Sequence, residues 1–469
     1  MHTTNQPNEC GQVQPMALTR REMLKSICAG FGYLALSGLA TEAAAPYQSP
    51  LLPKAPHFTP RAKRVIFLAM QGGPSHVDTF DYKPELIARG GKGKYIAPVS
   101  TFRQRGQSGL WISDLFPKLA EHADELCLLR GMHTDIPNHP QAFIQLHTGS
   151  TRFVRPSMGA WTLYGLGTEN QDLPGFISIN PGKGGAQNYG SAFLPATYQG
   201  TPISLGGGGG GKPGKKAGGA MGDSGIGNIH NSNLSPELQR AQLDLVQSMN
   251  RDLLAQDTAN TELEGVIQSY ELAFRMQTEA PKVMDFSKES AATLAMYGIG
   301  GTSDNFGRQC LMARRFAEAG VRYIEITHGG WDQHNSLRQA LGRNCADTDQ
   351  PIAALLTDLK QRDLLKDTLV IWGGEFGRTP ESPKADGRGH NAKGYTMWMA
   401  GGGVKGGLSF GATDEFGAKA VTDKVHVHDL HATALHLLGL DHEKLTYRYA
   451  GRDYRLTDVH GNVVKGIVA

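Results

Sequence analysis

The side chains of this sequence that can do chemistry gather behind short apolar runs ending in paired glycines. The clearest run is 321–335, VRYIEITHGGWDQHN, where β-branched residues stop at Gly329-Gly330 and Trp331, Asp332 and His334 follow. An aspartate and a histidine two apart on one loop offer oxygen and nitrogen donors, a mixture that suits a divalent ion. The bland reading is a helix-capping aspartate beside an exposed histidine. Residues 368–379, TLVIWGGEFGRT, repeat the plan with Glu375 and Arg378. A carboxylate directly behind a buried run is costly without a cation, so Glu375 calls for Arg378 or a metal. Arg388-Gly389-His390 lies in a glycine-rich turn, which makes His390 a further ligand or an exposed loop histidine. Residues 64–81, RVIFLAMQGGPSHVDTFD, deliver Ser75, His76 and Asp78. These form either a ligand pair beside a hydroxyl or a turn in which Asp78 caps a helix.

Other histidines rank behind these. His426, His428, His431 and His436 surround a helix start, where a histidine can cap or pack, and His133, His139 and His147 lie near a strand end and a helix. Nothing beside His139 supplies an activated hydroxyl, so it is expected to ligate or pack and not to act as a nucleophile.

Three strands must hold the loops in place. Runs 65–69, 323–326 and 369–372 are too continuously apolar for a sheet with one face in water, which predicts a central, mainly parallel sheet with helices on both faces. In such a sheet, ligands bind outside the carboxyl ends of the strands. Further strands are expected at 126–129 and 396–400, and helices at 114–123, 138–148, 306–319, 352–362 and 429–438. Ser235-Pro236-Glu237 starts a helical insertion over 235–280. Its stripes, Leu238, Leu245, Met249, Leu253 and then Leu263, Ile267, Tyr270, Phe274, are core or face a partner. Residues 206–227, with six consecutive glycines, read as a flexible loop without a Walker pattern.

The chain of 469 residues carries 47 Lys and Arg against 44 Asp and Glu, a balance that argues against a dedicated nucleic-acid binder. Of five cysteines, Cys10 and Cys28 precede residue 45, and Cys127, Cys310 and Cys345 form no thiolate metal motif. Thr19-Arg20-Arg21-Glu22-Met23-Leu24-Lys25 precedes an apolar stretch at 26–40 and then Ala43-Ala44-Ala45. This resembles a twin-arginine export signal, with cleavage near Ala45, release to the periplasm or beyond, and no membrane span in the mature chain. Export of a folded chain fits a metal loaded in the cytoplasm. Residues 46–60 read as a proline-rich linker and 61–469 as the domain.

The motifs GGPSHVDTFDYKPEL, GRQCLMARRFAEAGVRYIE, GGWDQHN, GGEFGRTP and HVHDLHATALHLLGLDHEKLTYRYAGRDYRLTDV occur in this order. On them the chain resembles an uncharacterised exported bacterial family, domain of unknown function 1501, which is itself similar to the alkaline phosphatase and sulfatase superfamily. That resemblance implies an alkaline-phosphatase-like three-layer sandwich. It also implies a metal-dependent hydrolase of phosphate or sulfate esters acting on a small-molecule or glycan substrate. Asp332, His334, Glu375 and His390 would hold zinc or manganese, His76 and Asp78 would complete a second site, Arg378 would steady the anion, and Ser75 or water would attack. Two departures stand out. Phe376 replaces the superfamily's histidine after Glu375, and the sulfatase signature ahead of Thr148-Gly149 is missing, with His139 at its place, which argues against a formylglycine enzyme. The alternative is an inactive relative that binds a sulfated or phosphorylated glycan or a partner protein.

Overall fold

All seven residues of strand β1, Arg64–Met70, are buried, as a strand covered on both faces must be. The computed structural model describes residues 49–205, save 91, 93 and 183, and 234–469, save 257–260, 302–303 and 383–385. The expected leader at 1–45 and the glycine-rich loop at 206–227 lie outside the described residues.

Ten further strands position the site: β2 Leu126–His133, β3 Phe176–Ile179, β4 Thr201–Ile203, β5 Tyr323–His328, β6 Thr368–Gly373, β7 Gly377–Arg378, β8 His390–Asn391, β9 Tyr395–Ala400, β10 Leu408–Phe410 and β11 Val425–His426. The main sheet runs β10-β2-β9-β6-β1-β5-β3-β4, with β11 paired to β2. Among the described strands of this sheet, only β9 runs antiparallel to its neighbours. The three expected runs are adjacent and parallel, with Val65 opposite both Tyr323 and Leu369. Their carboxyl ends, and the three loops, therefore emerge side by side.

Alternation along β1 divides the core. Ile66, Leu68 and Met70 join one cluster with helices α5, Asp304–Glu318, and α6, Leu337–Gln361. Val65, Phe67 and Ala69 join the other with α1, His139–Thr148, α2, Met158–Leu166, and α7, Val427–Leu437. Helices thus cover both faces of an α/β sheet. Helix α6 is far longer than the expected 352–362 because Pro351 sits inside it, and a proline within a helical pattern reads as a boundary. The helix expected at 114–123 is a 3-10 helix, Leu119–Glu125.

Helices α3, Pro236–Gln256, and α4, Thr261–Met284, form the expected insertion. Its first stripe is not core: Leu245 is 65% and Met249 61% exposed, while Gln247 is buried and donates to the Ile267 carbonyl at 2.7 Å. Ahead of the sheet, Leu51 is buried and Lys54 donates to the Tyr164 carbonyl at 2.8 Å. Cys127, Cys310 and Cys345 are free and buried. Among the described residues no helix is long and apolar enough to cross a membrane.

Candidate metal centre

Where β1, β5 and β6 end, the backbone has to be unusually close to itself. Gly72 has φ +116°, and a Cβ there would stand 2.6 Å from the Asp332 amide nitrogen, so only glycine lets the first loop lie against the second. Trp331 pins the second loop: it is fully buried, donates from Nε1 to His328 Nδ1 at 3.0 Å and stands edge-on to Trp372. Asp332 and His334 are left at the surface, roughly half exposed. A Cβ on Gly387 would collide with the His334 carbonyl, so the third loop is equally close. It continues into the two-residue ladder of β7 and β8, which sets His390 opposite Arg378.

Three imidazoles converge on one carboxylate oxygen. His139 Nε2 lies 3.1 Å, His334 Nε2 3.0 Å and His390 Nε2 3.4 Å from Asp332 Oδ1, and the His334 and His390 Nε2 atoms are 2.8 Å apart. Ligand atoms around a tetrahedral ion with bonds of about 2.0–2.1 Å are themselves roughly 3.3 Å apart, so these separations match the edges of one coordination shell. Among the described residues, these four form the one group of His, Cys, Asp or Glu whose ligand atoms all lie within 4.8 Å of one another.

The far side of two rings is tied down. His139 Nδ1 is 2.6 Å from Glu375 Oε1, and His390 Nδ1 is 2.8 Å from the Pro137 carbonyl. An acceptor at Nδ1 fixes the proton there and leaves the Nε2 lone pair aimed at the cluster, the arrangement that metal-binding histidines use. Buried His139 Nε2 has no hydrogen-bond partner, which an ion at this point would supply. Phe376 is fully buried and packs its ring against His139 and His390 at 4.6 and 4.8 Å. At the position where the superfamily resemblance would put a ligand, this chain has an apolar wall.

Charge keeps the carboxylate in its ligating form. Partial burial pushes the Asp332 carboxyl up, but the Arg378 guanidinium, 2.7 Å from Oδ1, outweighs it and the carboxyl is held at about 2. His390 is pushed below the usual imidazole range by burial first and by Arg378 after it, which favours the neutral ring that can ligate.

Of the residues singled out in the sequence, Asp332, His334 and His390 meet. Glu375 stands one step behind: fully buried, it accepts from the Gly72 amide at 3.0 Å and from His139. Arg378 Nη2 touches Asp332 Oδ1 at 2.7 Å and also reaches the carbonyls of Gly72 and Trp331, while Nε and Nη1 reach those of Gly73 and Arg388. It therefore braces three loops and offers no free edge to an anion. Ser75, His76 and Asp78 do not enter the cluster. Ser75 donates its hydroxyl to Asp78, Asp78 pairs with Arg388 Nε at 2.7 Å, and His76 Nε2 is 2.8 Å from the Gly417 carbonyl. His139, ranked behind these residues in the sequence, joins the group.

Three of the solved structures similar to the chain illustrate its likeness. They are Ps i-CgsB (TM-score 0.36, 11% identity, 81% of this chain and 72% of that one), the PsFucS1 sulfatase from Pseudoalteromonas sp. (0.35, 14%, 82% and 69%) and the TAB5 alkaline phosphatase (0.34, 10%, 82% and 99%). No curated protein matches the chain. Over residues 62–468 the sequence matches the family described as "Protein of unknown function (DUF1501)", and the chain belongs to that family.

Proposed function

We propose that this chain is a metal-dependent hydrolase of phosphate or sulfate esters, with the ion held by His139, Asp332, His334 and His390. The observation that carries the reading is the convergence of three Nε2 atoms on Asp332 Oδ1, two of them with Nδ1 locked by an acceptor. A nitrogen-rich shell with one carboxylate suits zinc or manganese better than magnesium. Bound there, such an ion supplies Lewis acidity to an ester oxygen and lowers the pKa of an attacking water. The chain's own residues do the rest. Glu375 holds the His139 ring, Arg378 keeps Asp332 ionised and in place, and Phe376 shields the inner side from solvent. Water is the attacking group in this reading, because the Ser75 hydroxyl is buried and spent on Asp78. Metal-restored hydrolysis of p-nitrophenyl phosphate or sulfate tests it, and no turnover of either ester by fully loaded protein refutes it.

The tied hydroxyl of Ser75 favours a second reading, a binding protein without turnover. Metal content together with absent hydrolysis would select it.

Glu375→Gln should weaken metal affinity about 10–100-fold, since partners of this kind set the ring's tautomer and basicity. The amide oxygen can still accept from Gly72, so the fold should persist. Competition against a chelator of known affinity reads the change. Unaltered affinity would show that Glu375 serves the fold alone.

We also propose export by the twin-arginine route to the periplasm or beyond, supported by Arg20-Arg21 ahead of the apolar stretch. Replacing both arginines by lysine should retain the chain in the cytoplasm, and fractionation that still finds it outside would overturn the assignment.

A further inference from the structure

Of the 21 residues of helix α3, Pro236–Gln256, Gln247 alone is buried. The helix is held from one side. It packs along α4, which in turn lies on the 3-10 turn Ala196–Tyr198 and on α5. Gln247 Nε2 donates to the Ile267 carbonyl at 2.7 Å and to Glu271 Oε1 at 3.2 Å, while Arg240 reaches both oxygens of Glu271 at 3.0 and 3.1 Å and stands over the Phe274 ring at 4.9 Å. Arg240 and Gln247 therefore mark the inner face. A helix turns about 100° per residue, so a position two away from either of them points to the opposite side.

Those positions are Leu238, Gln242, Leu245 and Met249. The three apolar ones are 61%, 65% and 61% exposed, and Leu253 continues the row at 54%. Polar ties hold α3 to its neighbour and the apolar stripe faces out, the reverse of the usual arrangement. The four large side chains leave about 500 Å² in one strip, the size of patches that mark binding surfaces.

The charges around the strip select its cover. Glu237, Asp244 and Asp252 outnumber Arg240 and Arg251, so the helix offers no basic face to an anionic bilayer. The glycine-rich residues 206–227 supply only Met221 and Ile226 as large apolar side chains. A second copy fits better. When two α3 helices run antiparallel with Leu245 of each against Met249 of the other, the same register sets the small Ala241 against the large Leu253. It also brings exposed Arg251 beside Asp244 of the other copy, and symmetry makes this contact twice. A parallel pair would set Asp244 on Asp244 and Arg251 on Arg251. Two strips face to face, with their polar flanks, bury on the order of 1,200 Å² in total, the lower edge of specific interfaces, which predicts a reversible association.

We infer that α3 is the interface of a homodimer, in which the outer stripes of two copies pair antiparallel. The inference is independent of the chemistry at the metal centre.

Sedimentation velocity of the chain from residue 46 onward, between about 1 and 200 µM, should show monomer passing to dimer. Leu245→Glu should weaken the dimer about a hundredfold or more, and Leu245→Gln should act in the same direction. Both side chains stand at the surface, so the fold should persist, which circular dichroism verifies. Val154→Glu, at a position 61% exposed on a different part of the chain, should leave association unchanged. Cysteines read the register, because Cys127, Cys310 and Cys345 are buried. Ala241→Cys and Leu253→Cys proteins should form a disulfide-linked dimer when mixed under mild oxidation, and neither should do so alone. A chain that stays monomeric throughout the range overturns the inference, as does a dimer that survives Leu245→Glu. Linkage of either cysteine variant to itself as readily as to the other overturns the antiparallel pairing. A monomer that sediments with phosphatidylglycerol vesicles, and loses them on Leu245→Glu, would give the stripe to a membrane surface instead.

Discussion

Protein purified without a His-tag from zinc- and manganese-replete medium should carry one tightly held divalent ion, and His139→Ala should lose it. The loss should be a hundredfold or more in affinity, larger than for Glu375→Gln, because the first removes a ligand and the second only its support. His139 matters most among the imidazoles for a geometric reason. Asp332 and His334 share one loop and His390 lies on the next, whereas His139 comes from a separate segment, the start of α1. Its ring is held by Glu375 and Phe376, so its position costs little entropy on binding. Without it, Asp332 keeps Arg378 as its cation and the remaining donors cannot surround an ion. Elemental analysis of wild type and variant decides the matter. Wild type that stays metal-free even after removal of bound ions and reloading with zinc, or a His139→Ala variant with full occupancy, would remove the metal centre.

The parts of this site legible in the sequence are those set by local chemistry. Gly72, Gly330 and Gly374 mark where three buried strands turn, and apolar runs without alternation marked those strands as covered on both faces. Asp332 and His334 followed from that plan, and His390 from its turn. His139 could not follow in the same way. It sits behind Pro137-Asn138 at a helix start, and what brings it to Asp332 is the sheet order, in which β2 lies three strands from β1. No periodicity encodes a strand order. Glu375 was read as a carboxylate that wants a cation, Arg378 or a metal; its contacts are instead an imidazole and the Gly72 amide, which only the folded loops create. The capping reading of the tail histidines holds for His426, which accepts from His428 while Asp429 accepts from His426 in return. His428, two residues further on, lines a cavity that no spacing could reveal.

Arg388→Met should be the most destabilising single change near the site, about 3–5 kcal/mol, and it should weaken metal binding as well. Asp78 and Arg388 are both completely buried, joined at 2.7 Å through Nε and at 3.2 Å through Nη2. Asp78 also accepts from the Val99 amide at 2.8 Å and from Ser75. Arg388 reaches the carbonyls of Ile96, Ala97, Thr379 and Pro380, so a single guanidinium joins the first loop, the 96–99 segment and the loop that carries His390. Removing one member of a buried pair strands the other charge away from water, and that desolvation dominates the loss. Removing both is milder: Asp78→Ala combined with Arg388→Met should be less damaging than Arg388→Met alone, a non-additivity expected of groups in one network. Thermal unfolding followed by circular dichroism should place the single variant about 3–6 °C below wild type. The metal effect has a separate cause, since His390 lies two residues from Arg388 and its loop loses the ties that hold it over Asp332. A single variant as stable as wild type, or a double variant worse than the single, would show that the pair is a solvated contact and not the clamp on which the third loop depends.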